Sequence, residues 1–204
     1  MIETIKTQEQ KSRETREKLI QATLDSLQEY GYHGASLSEI LKKAGVSKGG
    51  WQHHFQNKKD MVAAAAETIL EEAIFTTQEL AEKMKGKKAP LQALFQFIWT
   101  TFYTGRHRDI WLEFNVACRT DEELREKVAP ILEKFHKSMN EAWKKHFIST
   151  HPDFPIETIL NLTIFSLRGM AIQSIAFEKP SYYKKLREDW IKLISSVIQI
   201  KNSL

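Results

Sequence analysis

The sequence predicts an all-α protein, and three observations lead to that prediction. Apolar residues recur at the three- and four-residue spacing of helices almost everywhere, and no run of period-two alternation indicates a strand. The eight glycines are few and mostly lie between the apolar-periodic segments. Hydrophobic residues make up 42% and charged residues 27% of the 204 positions, a composition typical of a soluble globular chain.

Capping residues delimit the first two helices. A helix is expected over residues 12–30, and Gly31 is placed to end it because glycine adopts the left-handed conformation that closes helices. Ser36 and Glu39 have the spacing of a capping box, which predicts the start of a second helix. That helix should stop at Gly45.

A third, short helix is expected from Ser47 to about His54, and with the second it would form a helix-turn-helix. Gly49 and Gly50 lie inside it, and each costs about 1 kcal/mol relative to alanine in a helix interior. Such a weak helix is explained if its backbone must approach a partner closely, and DNA phosphates are the obvious candidate. A third helix in this motif enters the major groove.

The rest of the chain is predicted to consist of long helices with short breaks. A fourth helix, residues 58–85, should link an N-terminal domain to a larger helical one. Pro130 should kink or split the helix that contains it, because proline lacks an N–H donor. The remaining helices are expected over residues 90–104, 109–119, 121–149, 155–177 and 182–200.

Positive charge is concentrated near the N-terminus. Residues 11–59 carry nine Lys and Arg against five Asp and Glu, an excess equal to the net charge of the whole chain, +4. Such an excess of positive charge is compatible with a nucleic acid as partner but does not require one.

The same stretch contains a characteristic set of residues, and a weaker part of the pattern lies near the C-terminus. The set consists of Thr15, Arg16, Leu19, Ile20, Ala22, Tyr30–Tyr32, Ser36–Ile40, Ala44–Gly49, His54, Phe55 and Lys58, and the weaker part is Leu167–Gln173. Together these residues resemble the TetR family of bacterial transcriptional regulators. The resemblance implies a sequence-specific DNA-binding regulator: a cytoplasmic homodimer that binds a palindromic operator in double-stranded DNA and, as a repressor, is released by a small-molecule effector. The implied domains are a flexible arm (1–11), a helix-turn-helix domain (12–61) and a helical domain for effector binding and dimerisation (62–204).

Eight residues of the helix-turn-helix domain are expected to contact DNA. Each alone would be assigned to a solvated polar face, but a matched motif favours contact with phosphates and base edges. Trp51 and Gln52 replace the family's usual aliphatic residue and tyrosine. Gln52 is therefore expected to bind a phosphate or to read an adenine edge, and Trp51 to fill the core of the small domain. The eight residues are Ser36, Ser47, Lys48, Gly49, Gln52, His53, His54 and Lys58.

Aromatic residues are frequent in the C-terminal two thirds of the chain. They form a plain hydrophobic core or, in addition, line a cavity on the order of several hundred Å³ for a small molecule. Polar residues among them could orient that molecule, although the arginines could equally form salt bridges. The candidate effector-binding residues are Trp99, Tyr103, Trp111, Asn115, Trp143 and Arg168.

The segment 156–177 is apolar almost all round, and such a helix must be buried on every face. Its length would suit a membrane span, but Arg168 would be costly there, so no membrane association is expected. A two-fold four-helix bundle with the last helix of both chains would cover it. The candidate interface residues are Gly169, Ile172, Ile175, Ile191, Ile194 and Ile198.

No catalytic site, metal site or cofactor is expected. Cys118 is the only cysteine, which favours a reduced compartment and a packed core residue over a redox sensor. No signal peptide is recognisable at residues 1–10. Two alternatives remain: a helical-bundle enzyme, against which stands the lack of any catalytic motif, and an architectural DNA-binding protein without an effector. Binding to random DNA would separate them, since the enzyme would not bind and the architectural protein would show no sequence preference.

Overall fold

The structure is a computed structural model that describes residues 7–84 and 90–201. The predicted all-α class is confirmed, with one small addition, a pair of three-residue strands. The elements are α1 (Gln8–Gly34), α2 (Leu37–Ala44), a 3₁₀ turn (Trp51–His53), α3 (Lys58–Met84), α4 (Pro90–Phe102), α5 (Gly105–Thr120), α6 (Glu122–His146), β1 (Phe147–Ser149), α7 (Ile156–Ala176), α8 (Pro180–Ser195) and β2 (Ile198–Ile200).

Helix α1 begins earlier than predicted because of a capping box that the sequence analysis missed. The Thr7 hydroxyl accepts a hydrogen bond from the Gln10 N–H at 3.2 Å, and the Gln10 side chain accepts one from the Thr7 N–H at 2.9 Å. Residues 7–11 are therefore capped helix rather than part of a flexible arm. The rest of the predicted arm, residues 1–6, lies outside the described residues.

The predicted end of the first helix appears as a kink. Gly31 has a left-handed backbone at φ +68°, and a short helical turn follows it to Gly34. A Cβ at Gly31 would lie 3.0 Å from a carboxylate oxygen of Glu113. The left-handed backbone favours glycine here, and an added Cβ would also force the Glu113 carboxylate to shift.

The first compact unit comprises residues 1–69 together with 109–131. Its core includes the fully buried side chains of Leu19, Ile40 and Leu124. The run Met61–Ala66 on α3 is buried throughout, because small alanine side chains let neighbouring helices approach α3 from several sides. Part of the expected C-terminal domain, α5 and the start of α6, thus packs with the helix-turn-helix.

The second compact unit comprises residues 70–108 and 132–204, with Phe95, Trp143 and Leu160 among its most buried side chains. Strands β1 and β2 pair antiparallel, with Phe147 opposite Ile200. The sequence analysis assigned both strands to the preceding helices, since three residues are too few to show a period of two. Helix α6 continues through Pro130 without being split.

Helix α7 is buried on one face only. Leu160, Thr163 and Leu167 are fully buried, whereas Phe165 and Ile172 on the other face are 50% and 40% exposed. A single chain therefore covers only one face of α7, and burial of the other face by a partner chain stays a prediction. Among the described helices, α7 is also the one whose length and composition would permit a membrane span.

Candidate nucleic-acid interface

Helix α2 begins and ends where the capping residues predict, but only half of the predicted capping box forms, because the Ser36 N–H donates to the Gly34 carbonyl at 2.7 Å rather than to Glu39. The Ser36 hydroxyl accepts a hydrogen bond from the Glu39 N–H at 3.2 Å, which satisfies a donor of the first turn. Gly45 is left-handed at φ +64° and ψ +31°. The Val46 N–H bonds to the Leu41 carbonyl at 3.1 Å. These bonds close the helix and turn the chain sharply.

Residues 47–54, the reading segment, are less helical than predicted. The Ser47 hydroxyl accepts from the Gly50 N–H at 3.2 Å, so Ser47 is the expected cap. The backbone then forms a turn over residues 48–50 and a 3₁₀ turn over Trp51–His53 instead of an α-helix. Two adjacent glycines explain the difference, because each disfavours a helix by about 1 kcal/mol and so short a segment cannot offset the cost of nucleation.

The reading segment presents polar side chains to solvent and is anchored by aromatic rings. Trp51 is 7% and Phe55 6% exposed, so Trp51 fills the core as predicted. The Arg16 guanidinium lies 5.3 Å from the centroid of the Phe55 ring. Among the candidate DNA-contact residues, the exposed ones are Ser47, Lys48, Gly49, Gln52 and His53, and the half-buried ones are Ser36, His54 and Lys58.

Gly49 has open space where a side chain would be. A Cβ built there would have no heavy atom within 4 Å, whereas one built at Gly50 would lie 3.2 Å from the Ser47 hydroxyl oxygen. Packing within the protein therefore does not require glycine at position 49. The open space is compatible with a close approach of another molecule to the backbone.

Lys58 is engaged within the protein rather than displayed for a phosphate. Its ammonium donates a hydrogen bond to the Tyr32 carbonyl and lies 4.3 Å from the centroid of the Tyr32 ring. Burial lowers the pKa of Lys58. A phosphate contact would require the ammonium to leave both partners, contrary to the sequence expectation. Lys48 is the exposed lysine of the reading segment.

A group of polar residues, the Tyr32 cluster, ties the helix-turn-helix to α5 and α6. The Tyr32 N–H donates to Glu113 Oε2 at 2.7 Å, and its hydroxyl donates to Asp121 Oδ2 at 2.8 Å. The Lys59 ammonium bridges Asp121 and Glu123 at 2.9 and 2.8 Å. Of these five residues, only Tyr32 belongs to the sequence pattern of the helix-turn-helix domain. The bonded partners are 62 to 89 positions apart, and no local sequence pattern indicates such a contact.

Electrostatics fixes the protonation states in the Tyr32 cluster. The Leu124 backbone N–H and the Lys59 ammonium lower the pKa of Asp121 to about 2. Burial and the hydrogen bond to Asp121 raise the pKa of Tyr32 to about 12. Tyr32 therefore stays a neutral donor and Asp121 a charged acceptor across the neutral range. Through the bond to Leu124, at 3.0 Å, Asp121 also caps helix α6.

Two of the candidate effector-binding residues lie on α5 in the first compact unit. Asn115 is exposed, and its side-chain amide donates to the Trp111 carbonyl at 2.8 Å. This bond stays within one helix turn and Asn115 is exposed, contrary to the expectation that its amide lies among the aromatic residues and orients a ligand.

The other four candidate effector-binding residues share the second compact unit. Trp99 and Tyr103 are 8% and 7% exposed, and Trp143 is 1% exposed. Burial raises the pKa of Tyr103, and the nearby Arg168 opposes that effect. The Arg168 guanidinium lies 5.9 Å from the centroid of the Phe135 ring. Trp143 is thus a core residue, while Trp99 also lines a surface cleft.

Half of the candidate dimer-interface residues lie inside a single chain. Ile191, Ile194 and Ile198 are 6%, 3% and 3% exposed, and Ile198 belongs to β2 rather than to a helix. They pack against their own chain and are unavailable to a partner, contrary to the expectation. The exposed members of the set are Gly169, Ile172 and Ile175, and α7 also exposes Leu162 and Phe165.

Cys118 is half-buried on α5, and burial raises the pKa of its thiol. A raised pKa disfavours the reactive thiolate at neutral pH. Within residues 7–84 and 90–201, no group of three or more His, Cys, Asp or Glu side chains could hold a metal ion.

Comparisons with known proteins agree with a helix-turn-helix in this part of the chain. The sequence profile of the family "Bacterial regulatory proteins, tetR family" matches residues 19–65. An uncharacterised HTH-type transcriptional regulator from Mycobacterium tuberculosis is 30% identical over 197 residues, which cover 95% of this chain and 97% of that protein.

Solved structures show the same fold. A TetR-family transcriptional regulator from Mesorhizobium loti superposes with a TM-score of 0.73 at 14% identity, over 94% of this chain and 99% of that one. The multidrug-binding protein EbrR, complexed with imidazole, superposes with a TM-score of 0.61 at 16% identity, over 93% and 96% of the two chains. The proteins from Mycobacterium tuberculosis and Mesorhizobium loti are described as transcriptional regulators. A helix-turn-helix with an anchored, polar reading segment, the family profile and a full-length relative at 30% identity lead to one conclusion: the chain belongs to the TetR family of helix-turn-helix transcriptional regulators.

Proposed function

We propose that this regulator is a repressor that binds a palindromic operator as a homodimer and leaves it when a small molecule binds its C-terminal helices. The observation that carries the proposal is the reading segment, in which five candidate contact residues are exposed on a backbone anchored by Trp51. Residues 12–61 would supply DNA binding, and residues 62–204 effector binding and dimerisation. A protein of this kind acts in the cytoplasm, where the DNA is.

Within the reading segment, the proposed roles follow from exposure and chemistry. Gln52 and His53 are exposed side chains that can donate and accept hydrogen bonds, as base edges require. Lys48 is the proposed phosphate contact, since its ammonium is a point charge at the surface. Ser36 and Ser47 already accept backbone hydrogen bonds, and the Ser47 hydroxyl can still donate one to a phosphate oxygen. The Ser36 hydroxyl lies 2.9 Å from the Ser38 hydroxyl and can donate to a phosphate when Ser38 is the donor of that bond.

Dimerisation is proposed through the exposed apolar face of α7. Leu162, Phe165, Ile172 and Ile175 are 40% to 54% exposed, and so much apolar surface on one helix marks an interaction site. Gly169 lies on the same helix and would have no neighbour within 4 Å of an added Cβ, which leaves room for a partner helix. A two-fold contact also matches the symmetry of a palindrome.

Binding-site selection from random double-stranded oligonucleotides tests the proposal. We expect enrichment of one palindromic sequence with half-sites about one helical turn apart, or a multiple of it. Locating that sequence upstream of a gene, and measuring transcription in vitro with and without the protein, then distinguishes repression from activation. Uniform binding to all sequences would instead support an architectural protein.

A further inference from the structure

A cleft of about 330 Å³ opens in the second compact unit between the α4–α5 turn and the α7–α8 turn. Its volume is at the lower end of the range for small-molecule sites. Trp99, Tyr183 and Pro180 give it apolar and aromatic walls, and Ser174 and Thr104 add hydroxyl groups. Of these residues, the sequence analysis named only Trp99.

Arg187 lines this cleft, and its charged side chain is largely buried. The side chain is 8% exposed, and its guanidinium carbon lies 3.8 Å from the centroid of the Trp99 ring. None of the described residues accepts a hydrogen bond from the guanidinium or places a carboxylate within ion-pair distance. The adjacent acid, Glu188, pairs with Lys184 at 3.9 Å, and its charge does not offset the lowering of the Arg187 pKa by burial. A cation withdrawn from water without a counter-charge is costly, so this one is suited to an anion from outside.

The surroundings of Arg187 do not neutralise its charge. Lys179 lines the cleft and offsets the charge of the one acid in the lining, Glu178, while Arg108 lines the cleft and interacts with a further residue. Helix α8 begins at Pro180, so the positive end of its dipole lies at the same place. The lining therefore favours a singly charged anion, because Glu178 opposes each additional negative charge.

We propose that this cleft binds an aromatic carboxylate, with the carboxylate on the Arg187 guanidinium and the ring between the apolar walls. The planar fork of a guanidinium matches the two oxygens of a carboxylate, and stacking on Trp99 holds that fork in place. Inorganic phosphate offers the same oxygen chemistry but has no apolar body to fill the walls. The inference names the chemical class of the effector and, for its effect on DNA binding only, rests on the proposed function.

Isothermal titration of the full-length protein tests binding without DNA, with benzoate, its neutral isostere benzamide and inorganic phosphate as probes. We expect saturable binding of benzoate, and at least about tenfold weaker binding of both benzamide and phosphate. Benzamide loses the charge-assisted bidentate contact, and phosphate loses the contact with the apolar walls. Equal binding of benzamide, or phosphate binding tighter than benzoate, would overturn the assignment.

Matched variants locate the site. Arg187→Met should weaken benzoate binding at least about tenfold, whereas Lys192→Met, which removes one exposed positive charge from the same helix, should not change it. Glu178 is exposed, so Glu178→Gln should leave the fold intact. Because it removes the negative charge that opposes the anion, it should tighten benzoate binding about threefold. Unchanged affinity in Glu178→Gln and in folded Arg187→Met would place the anion elsewhere and refute the proposal.

A gel shift with the selected operator separates this inference from the proposed function. If benzoate binds through Arg187 and releases the operator, both are supported. If it binds through Arg187 and the operator stays bound, the cleft is an anion site and the effector role fails. If other compounds release the operator and benzoate never binds, the cleft assignment fails and the proposed repressor function is unaffected.

Discussion

At the scale of single residues, the reading segment combines buried anchors with exposed polar side chains. Trp51 and Phe55 fix the backbone from inside, while Lys48, Gln52 and His53 extend into solvent. Contacts of these two kinds have separable consequences: loss of an anchor changes stability, and loss of an exposed group changes only what the segment can bind.

Substitution of Gln52 or His53 by alanine should relax base preference, each good base contact being worth about 1–3 kcal/mol of discrimination. Lys48→Ala should instead weaken binding to all sequences and reduce the slope of log K against log salt by about one unit. Selection experiments and fluorescence titrations at several salt concentrations measure both. An unchanged slope in Lys48→Ala, with an altered preferred site, would reverse the assigned roles.

Lys58→Ala serves as the comparison for Lys48, because its ammonium is bound to Tyr32. Loss of the hydrogen bond and of the cation–π contact should lower the free energy of unfolding by about 1–3 kcal/mol. The salt slope of DNA binding should not change. Urea unfolding and salt titrations check the two statements. A Lys58→Ala protein of unchanged stability with a reduced salt slope would instead support the phosphate contact that the sequence predicts.

Gly49→Ala tests whether DNA approaches the backbone in the open space beside Gly49. The new Cβ meets nothing in the protein, so stability should stay equal or rise by up to about 1 kcal/mol. Operator affinity should fall about tenfold if a phosphate approaches the backbone there, the size of one weakened charge-assisted hydrogen bond. Gly50→Ala is the contrasting variant: its Cβ would press on Ser47 and should destabilise the turn. Full operator affinity in Gly49→Ala would exclude a close approach.

At the scale of elements, the Tyr32 cluster joins the start of α6 to the turn that follows the kink in α1. Asp121 has three roles at once: it caps α6, accepts from Tyr32 and pairs with Lys59. A single side chain thus holds together parts of the chain that no capping pattern relates.

Asp121→Asn should lower the free energy of unfolding by about 1–3 kcal/mol at neutral pH, because it removes the charge that three donors share. The folded pKa of Asp121 is about 2 against 3.8 for the free side chain. The stabilisation is therefore fully present above about pH 4 to 5 and is lost as the pH falls toward 2. The difference between wild type and variant, from urea unfolding at several pH values, should shrink over that range.

Glu122→Gln is the matched control, since Glu122 is an exposed neighbour whose one ion pair within the described residues is with Arg125, across one helix turn. Exposed pairs contribute little, so its effect should stay below about 0.5 kcal/mol. If Asp121→Asn and Glu122→Gln behaved alike at every pH, the Tyr32 cluster would not be a stabilising contact.

At the scale of the whole molecule, the apolar surface of α7 predicts a homodimer in solution without DNA. Ile172→Glu changes a 40% exposed residue and should give a folded monomer with greatly weakened operator binding. Ile194→Glu changes a residue that is 3% exposed and should unfold the chain instead. Analytical ultracentrifugation and circular dichroism distinguish the two outcomes. A stable wild-type monomer at micromolar concentration would contradict this arrangement.

The sequence by itself determined the fold class and the helix-turn-helix. The signals there are local: the bonds that begin and end α2 span at most five residues, so the spacing of Ser36, Glu39 and Gly45 encodes them directly. The resemblance to the TetR family rests on the same residues, and exposure of Gln52 and His53 agrees with the polar face that they predict.

Only the tertiary structure decided which side chains meet across the chain. Arg187 stacks on Trp99, and Tyr32 binds Asp121, through contacts between distant elements. The faces of α7 and α8 were undetermined for the same reason: α7 is apolar on both sides, and α8 has two adjacent apolar stripes, so periodicity cannot say which of them the core covers. Packing made that choice, burying Ile194 and leaving Ile172 exposed, because side-chain volume and chain path, rather than sequence spacing, determine which apolar surfaces can be removed from water.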